Sequence, residues 1–482
     1  EEAGVCSRWA DCRLFRIFVA RMSNKGQQQL PTHLGTEPVG RLLRQYAVPG
    51  IVAMTASSLY NMVDSIFIGH IGTSAEGALA LSGMAVTFPL MNICAAFGSL
   101  VGVGAASVIS IRLGQRDYRA ASDTMGNTVS LNVLIGLVVT VLGLVFMDPI
   151  LRFFGAGQQA IGYARQYMQV ILLGNIVTHL YFGLNSVLRA MGRPLRSMYA
   201  TINTVILNVV LDPLFIFTFD MGIRGAAIAT VLSQLASLVW QIVVLSRPSE
   251  PIHLERRSFR LRRQIVSGIL SIGMSPFLMN LAACFVVVLI NQGLKRHGGD
   301  ELAIGAYGIV NRVSMLFFMV VMGINQGMQP IAGYNYGARQ YDRVGRVLWV
   351  AIGCATAVMT LGFIIGEAMP GVLVSIFTDN ERLAAITVEG MRIMYLSMPI
   401  IGFQMVTGNF FQSIGMARIS ILLSLSRQVL FLIPLLLTLP EVMGLRGVWL
   451  SCPISDALSA LLAAAMLSYQ FRQFKKHIAT PS

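Results

Sequence analysis

The chain has 482 residues, of which 55% are hydrophobic and only 12% charged, with a formal net charge of +14. Soluble domains have about a quarter of their residues charged, so this composition excludes an ordinary soluble protein. The basic balance could suit nucleic acid, but Lys and Arg recur in short clusters between apolar runs and form no continuous patch with interleaved aromatics, so lipid is the expected surroundings and no nucleic-acid partner is.

Residues 1–21 mix Cys6, Trp9, Asp11 and several arginines without helical period. They read as a leader, with Met22 as the expected native start, and residues 1–36 as a disordered leader and cytoplasmic tail. Runs such as 48–67 and 129–147 then reach the ~20 residues that cross a bilayer at about 1.5 Å per residue. Twelve helices are expected near 43–68, 78–110, 121–147, 160–190, 197–219, 223–246, 265–293, 303–333, 344–368, 383–414, 418–438 and 446–470. Most Lys and Arg near their ends fall on one side, among them Arg112, Arg116, Arg119, Arg189, Arg193, Arg196, Arg256, Arg257, Arg339, Arg343, Lys475 and Lys476. Arg152, Arg224, Lys295 and Arg446 fall on the other. The positive-inside rule therefore puts both termini in the cytoplasm. Cys6, Cys12, Cys94, Cys284, Cys354 and Cys452 form no C-x-x-C pair and the histidines do not cluster, so neither a disulfide framework nor a zinc site is expected.

The chain is written twice. Met221-Gly-Ile-Arg-Gly225 returns as Met443-Gly-Leu-Arg-Gly447, and Gly114-Gln-Arg-Asp-Tyr118 as Gly337-Ala-Arg-Gln-Tyr341, a shift of about 222 residues. Pro213 and Gly192 find counterparts in Pro434 and Gly415, and Pro49 has one in Pro276. The fold expected is an all-α integral membrane protein, with twelve transmembrane helices in two pseudo-symmetric bundles of six. The first lobe is residues 37–247, the second 265–470, with a basic cytoplasmic linker at 248–264 and a cytoplasmic tail at 471–482. Six helices per half give both the same orientation, a parallel repeat that is a transporter architecture with its substrate path between the lobes.

Function is sought where the halves differ. Asp64 and Asp212 lie inside apolar spans, where an ionised side chain is costly and usually has a task. Alignment of the prolines sets Asn291 opposite Asp64, Val287 opposite Tyr60, Ile433 opposite Asp212 and Val429 opposite Asn208, so ionisable chemistry is concentrated in the first lobe. Tyr60 and Asp64 are four residues apart, as are Thr204, Asn208 and Asp212, and such positions share a helix face. With Thr230 they make a pocket of two carboxylates, an amide, a phenol and a hydroxyl. Loss of water and a neighbouring negative charge both favour a protonated carboxylate, so the pocket can take protons; Asp64, Asn208, Asp212 and Thr230 can equally ligate Na+, a hard cation that takes oxygen donors. Asp212, beside Pro213, can alternatively cap a kink. In the second lobe Asn311, Arg312, Asn325, Gln326, Gln329, Arg427 and Asp456 can line a cavity, and Arg427 with Asp456 can as well be a structural ion pair. The 26 methionines and 25 phenylalanines suit either lipid-facing packing or an adaptable cavity for flat organic cations.

These residues carry a family resemblance. Tyr60-Asn-Met-Val-Asp64 before Ile68-Gly69, Arg189-Ala-Met-Gly192, Asn208-Val-Val-Leu-Asp212-Pro213-Leu-Phe-Ile-Phe217 and Gly225-Ala-Ala-Ile-Ala-Thr230 resemble multidrug and toxic compound extrusion (MATE) transporters, over nearly all of residues 37–470. The resemblance implies efflux of organic cations and amphipathic drugs in exchange for H+ or Na+, with no cofactor and no enzymatic activity. It also implies a cation or proton site in the first lobe at the positions of Tyr60, Asp64, Asn208, Asp212 and Thr230, as in the DinF-like branch. The NorM-type branch places a glutamate in helix 7 and an aspartate in helix 10; residues 265–293 hold no acid and Glu389 has no clear match, so the chain looks DinF-like or MepA-like. The expected protein is a monomeric, multi-pass antiporter of the bacterial inner membrane. The alternative is a flippase for a lipid-linked cell-envelope precursor, which needs a large basic cavity. An intramembrane aspartyl protease is disfavoured, since Gly-x-Gly-Asp is absent and Tyr341-Asp342 falls in a loop.

Overall fold

A computed structural model describes residues 32–72, 74–154, 157–247, 250, 252–298 and 302–479. The leader, Met22 and the start of the tail lie outside the described residues. Almost everything described is helical, with no strand among the described residues. The first half comprises α1 (Val39–Gly69), α2 (Ser74–Gly114), α3 (Tyr118–Val145), α4 (Ile161–Leu173), α5 (Asn175–Ala190), α6 (Pro194–Pro213) and α7 (Gly222–Leu245). The second comprises α8 (Arg263–Gly298), α9 (Leu302–Gly337), α10 (Tyr341–Ala368), α11 (Glu381–Tyr395), α12 (Met398–Ser413), α13 (Ala417–Leu425), α14 (Ile433–Met443) and α15 (Leu445–Ala479). Ten helices are long and apolar enough to cross a membrane, or twelve if each of two bent pairs is one span. Their outward faces are apolar, with Val141, Leu142, Val145, Leu361 and Ile364 all more than half exposed, as side chains in contact with acyl chains would be.

The bent pairs fall where continuous helices are expected at 160–190 and 383–414. α4 and α5 meet at 55°, and α11 and α12 at 52°. In the second pair Pro399 sits in the first turn of α12 and has no N–H to continue the ladder. In the first pair the break is at Gly174, where an added Cβ would stand 2.4 Å from Val231 Cγ2, so α7 presses directly against the corner. Two further spans widen instead of breaking. α6 runs into a π-helical turn at Leu214–Thr218 just after Pro213, and α13 continues into α14 through π-helical Ser426–Leu432 just before Pro434. Each absorbs the hydrogen bond that the proline cannot make, but the two turns lie on opposite sides of the paired prolines. α15 runs on through residues 471–479 of the expected tail, where Phe474 stacks on Tyr341 and Phe471 on Trp349.

The halves pack crosswise: α8 lies along α2 and α9 along α1, the exchange a twofold relation produces. The repeated turns also match in backbone, with Arg116 at φ 60° and Arg339 at φ 58°. At the basic end the halves touch backbone to backbone. A Cβ on Gly273 would fall 1.7 Å from Leu100 O, on Gly114 1.9 Å from Tyr334 O, and on Gly337 2.1 Å from Ile111 O. Gln329 Nε2 donates across this seam to Ser107 Oγ at 3.0 Å and to Val103 O at 3.3 Å. One apolar core, with Leu42, Leu113, Ile331 and Leu348, runs through both halves here. Away from this end each half has its own core, around Ile68, Met168 and Ile216 in one and Ile290, Leu436 and Trp449 in the other.

The linker is docked. Its 3-10 turn Arg256–Phe259 lies on α3, where Asn127 Nδ2 donates to Ser258 O and Arg260 O, both at 3.1 Å, and Asn127 Oδ1 accepts from Arg262 N at 2.8 Å. Arg262 pairs with buried Asp123 at 2.6 Å, and Glu250 with Arg196 at 2.5 Å and Arg193 at 3.3 Å.

Candidate cation site in the first half

Three helices bring the expected side chains together. α1 supplies Tyr60 and Asp64, one turn apart; α6 supplies Asn208 and Asp212 at its last turn; α7 supplies Thr230. Asn208 Nδ2 donates to Asp212 Oδ1 at 3.1 Å and lies 3.3 Å from Thr230 Oγ1, and the Tyr60 hydroxyl is 3.2 Å from the same Thr230 oxygen. Thr230 thus joins the three helices. Asp64, Asn208 and Asp212 are each at most 1% exposed, and Asp64 is within electrostatic reach of both Tyr60 and Asp212. Against the kink-capping alternative, Asp212 directs Oδ1 at the Asn208 side chain, and no hydrogen bond to the adjoining backbone is formed among the described residues.

The polar inventory is unbalanced toward acceptors. Asp64 Oδ1, Asp212 Oδ2 and Asn208 Oδ1 are buried without a hydrogen-bond partner among the described residues. A buried acceptor left unmatched costs about 1–3 kcal/mol, and more when charged, so this set is stabilised by whatever brings positive charge to it. All the available donors to a cation are oxygens, which fits a proton or a hard monovalent ion. No group of three or more His, Cys, Asp or Glu gathers among the described residues.

Two residues revise the sequence reading. Thr204, in register with Asn208, turns away, its hydroxyl lying 2.7 Å from Ser237 Oγ and 3.0 Å from Ala200 O, and ties α6 to α7. Tyr167 of α4, not singled out from the sequence, is buried within electrostatic reach of Tyr60, Asp64 and Asp212. No spacing links α4 to α1 or α6, so only the bend at Gly174 that aims α4 could have disclosed it. The Arg189 motif is structural: Arg189 bonds Ser197 Oγ at 3.1 Å and Ser186 Oγ at 2.9 Å, and Asn185 joins Ser197 and Thr201.

In the second half Arg427 and Asp456 do pair, Nε to Oδ1 at 2.6 Å, with Ser397 Oγ donating to Asp456 Oδ2 at 2.8 Å. They line a cavity of about 170 Å3 that also includes Asn311. Gln329 belongs to the seam instead.

The MatE family model matches this chain twice, over residues 49–214 and again over 270–438. The chain belongs to the MATE family. It is a multi-pass membrane transporter. It is 28% identical over 439 residues to the multidrug export protein MepA of Staphylococcus aureus, covering 90% of this chain and 94% of that protein. MepA of Staphylococcus haemolyticus is 26% identical over 427 residues, 88% of this chain and 92% of that one. Among solved structures, a MATE protein in a bent conformation superposes with a TM-score of 0.88 at 24% identity, over 94% of this chain and all of the other. A MOP superfamily transporter from Pyrococcus furiosus matches at 0.86 and 24%, over 93% and 99%. These structures establish that this MATE chain has the family's fold.

Proposed function

We propose that this MATE protein is a secondary active antiporter that exports organic cations and amphipathic drugs, driven by H+ or Na+ entering at Asp64 and Asp212. One observation carries the reading: three buried oxygens without a partner among the described residues, two of them on carboxylates, gather in one half of a family transporter. Tyr60, Asn208 and Thr230 hold the acids in place through hydrogen bonds between α1, α6 and α7. The lobes are residues 37–247 and 265–470, and each chain works alone. Bacterial relatives and the basic loops support the inner membrane, with the basic end and both termini in the cytoplasm.

With the basic end sealed by the glycine seam, the path between the lobes opens on the opposite side. The ion reaches the acids from there, releases the drug, and stays bound while the lobes rock to expose the cavity to the cytoplasm. Exchange of one ion for one monovalent drug moves no net charge, so only the ion's concentration gradient drives it. Each surplus ion adds about 2.3 kcal/mol per 100 mV, roughly a fifty-fold drug gradient at about 1.4 kcal/mol per decade.

Proteoliposomes with an imposed gradient test this. Asp64→Asn and Asp212→Asn are expected to abolish gradient-driven export of a cationic dye while the protein still assembles in the bilayer. Wild-type rates from both variants would overturn the site. A pH gradient alone and a sodium gradient alone, applied to the unaltered protein, identify the ion.

A further inference from the structure

The second half holds a cavity that the first-half cation site does not use. It lies among α8, α9, the α11–α12 corner, α15 and the π-helical turn Ser426–Leu432. The turn matters because it has no counterpart at the matching place in the first half: there the widened segment follows the paired proline, here it precedes it. Widened turns of this kind are frequent at functional sites, and this one carries Arg427 and Gln428, both on the cavity wall.

The wall hides its carboxylate charge and offers donors, beside one amide oxygen, Gln428 Oε1, that is buried without a partner among the described residues. Asp456 is 4% exposed, with one oxygen taken by Arg427 Nε and the other by Ser397 Oγ. Arg427 keeps 29% of its side chain exposed, and its two Nη groups make no hydrogen bond among the described residues. Arg–carboxylate pairs frequently set the guanidinium fork on both oxygens; here Ser397 takes the second oxygen, and the fork is left open among the described residues. Tyr307 and Asn311 line the same space without hydrogen bonds of their own among the described residues, and beyond them the lining is apolar, with Met394 and Phe318. A guanidinium fork beside a phenol and an amide, facing about 170 Å3 with apolar walls, is complementary to a planar anion carrying a small apolar body.

We propose that this cavity is a second ligand site, which binds a small amphipathic carboxylate through Arg427 Nη1 and Nη2, with Asp456 and Ser397 fixing the guanidinium. The site is independent of Asp64 and Asp212.

Isothermal titration of the full chain in lipid nanodiscs, with benzoate as probe, tests the assignment. Benzoate is expected to bind, and benzamide and benzylammonium, of nearly the same shape, to bind at least tenfold more weakly. The paired variant Arg427→Gln/Asp456→Asn removes both charges without burying a lone one and should weaken benzoate at least tenfold. Should that variant fail to fold, Tyr307→Phe, which leaves the ion pair intact, is expected to weaken it severalfold. Asp64→Asn should leave benzoate binding unchanged, so loss of ion coupling and loss of this site register separately. Absence of benzoate binding, equal binding of benzamide, or undiminished binding by both the paired variant and Tyr307→Phe would overturn the proposal.

Discussion

Asn208 is the side chain on which the first-half cluster turns, because its single amide nitrogen serves Asp212 and Thr230 while its oxygen has no partner among the described residues. Asn208→Leu keeps the volume and removes both bonds, so gradient-driven transport is expected to fall at least tenfold, with a loss of about 1–3 kcal/mol in stability because buried Asp212 Oδ1 is left unmatched. Proteoliposome flux and a thermal melt together check this. At Arg427 the loss of stability is expected to be larger. Arg427→Met strands Asp456 in the protein interior and should cost about 3–5 kcal/mol, whereas Arg427→Met with Asp456→Leu should recover most of the loss; melting midpoints of the two variants measure the difference. Much of this chemistry was legible in the sequence, since four-residue spacing put Tyr60 above Asp64 and Asn208 above Asp212, and the failure of the repeat at those positions marked them. Thr204 obeyed the same spacing and yet bonds Ser237, because a helix face is broader than a pocket. Tyr167 had no spacing to betray it.

Elements were legible as spans and illegible as shapes. Among the described residues hydrophobic length located the ten long apolar helices and the two bent pairs, but at the 55° corner at Gly174 the close neighbour is Val231 of a different helix, a contact that periodicity within one segment does not encode. The linker is a similar case: composition marked it as basic and irregular, whereas its place on α3 comes from one buried side chain. Asn127 holds three backbone groups of the linker, and hydrogen bonds of this kind are worth about 0.5–1.5 kcal/mol each. Asn127→Ala is therefore expected to release residues 256–262, seen as faster proteolytic cleavage after the arginines there while the membrane spans stay protected.

At the scale of the molecule, the duplication was visible in a few repeated pentapeptides, and the crosswise packing of α8 on α2 and α9 on α1 is its spatial form. What the repeats did not disclose is how tightly the halves close, since backbone-to-backbone approach depends on the absence of side chains. Gly273, where a Cβ would lie 1.7 Å from Leu100 O, is the sharpest case. Gly273→Val should act as a wedge that prevents this closed arrangement, with transport at background and faster labelling of a cysteine placed at residue 107, which is buried in the seam. Unchanged transport would show that the seam is not on the cycle.

The docked linker has a mechanical corollary. Asn127 fastens the chain up to Arg262 onto the first half, and α8 begins at the very next residue. Almost no slack therefore separates the two rigid bodies, so they cannot drift apart and re-dock; they can only pivot about that point, like pages on a spine. Inserting a few Gly-Ser pairs between Arg262 and Arg263 would lengthen the spine without touching either page, and should slow turnover while leaving ion and drug affinities as they were.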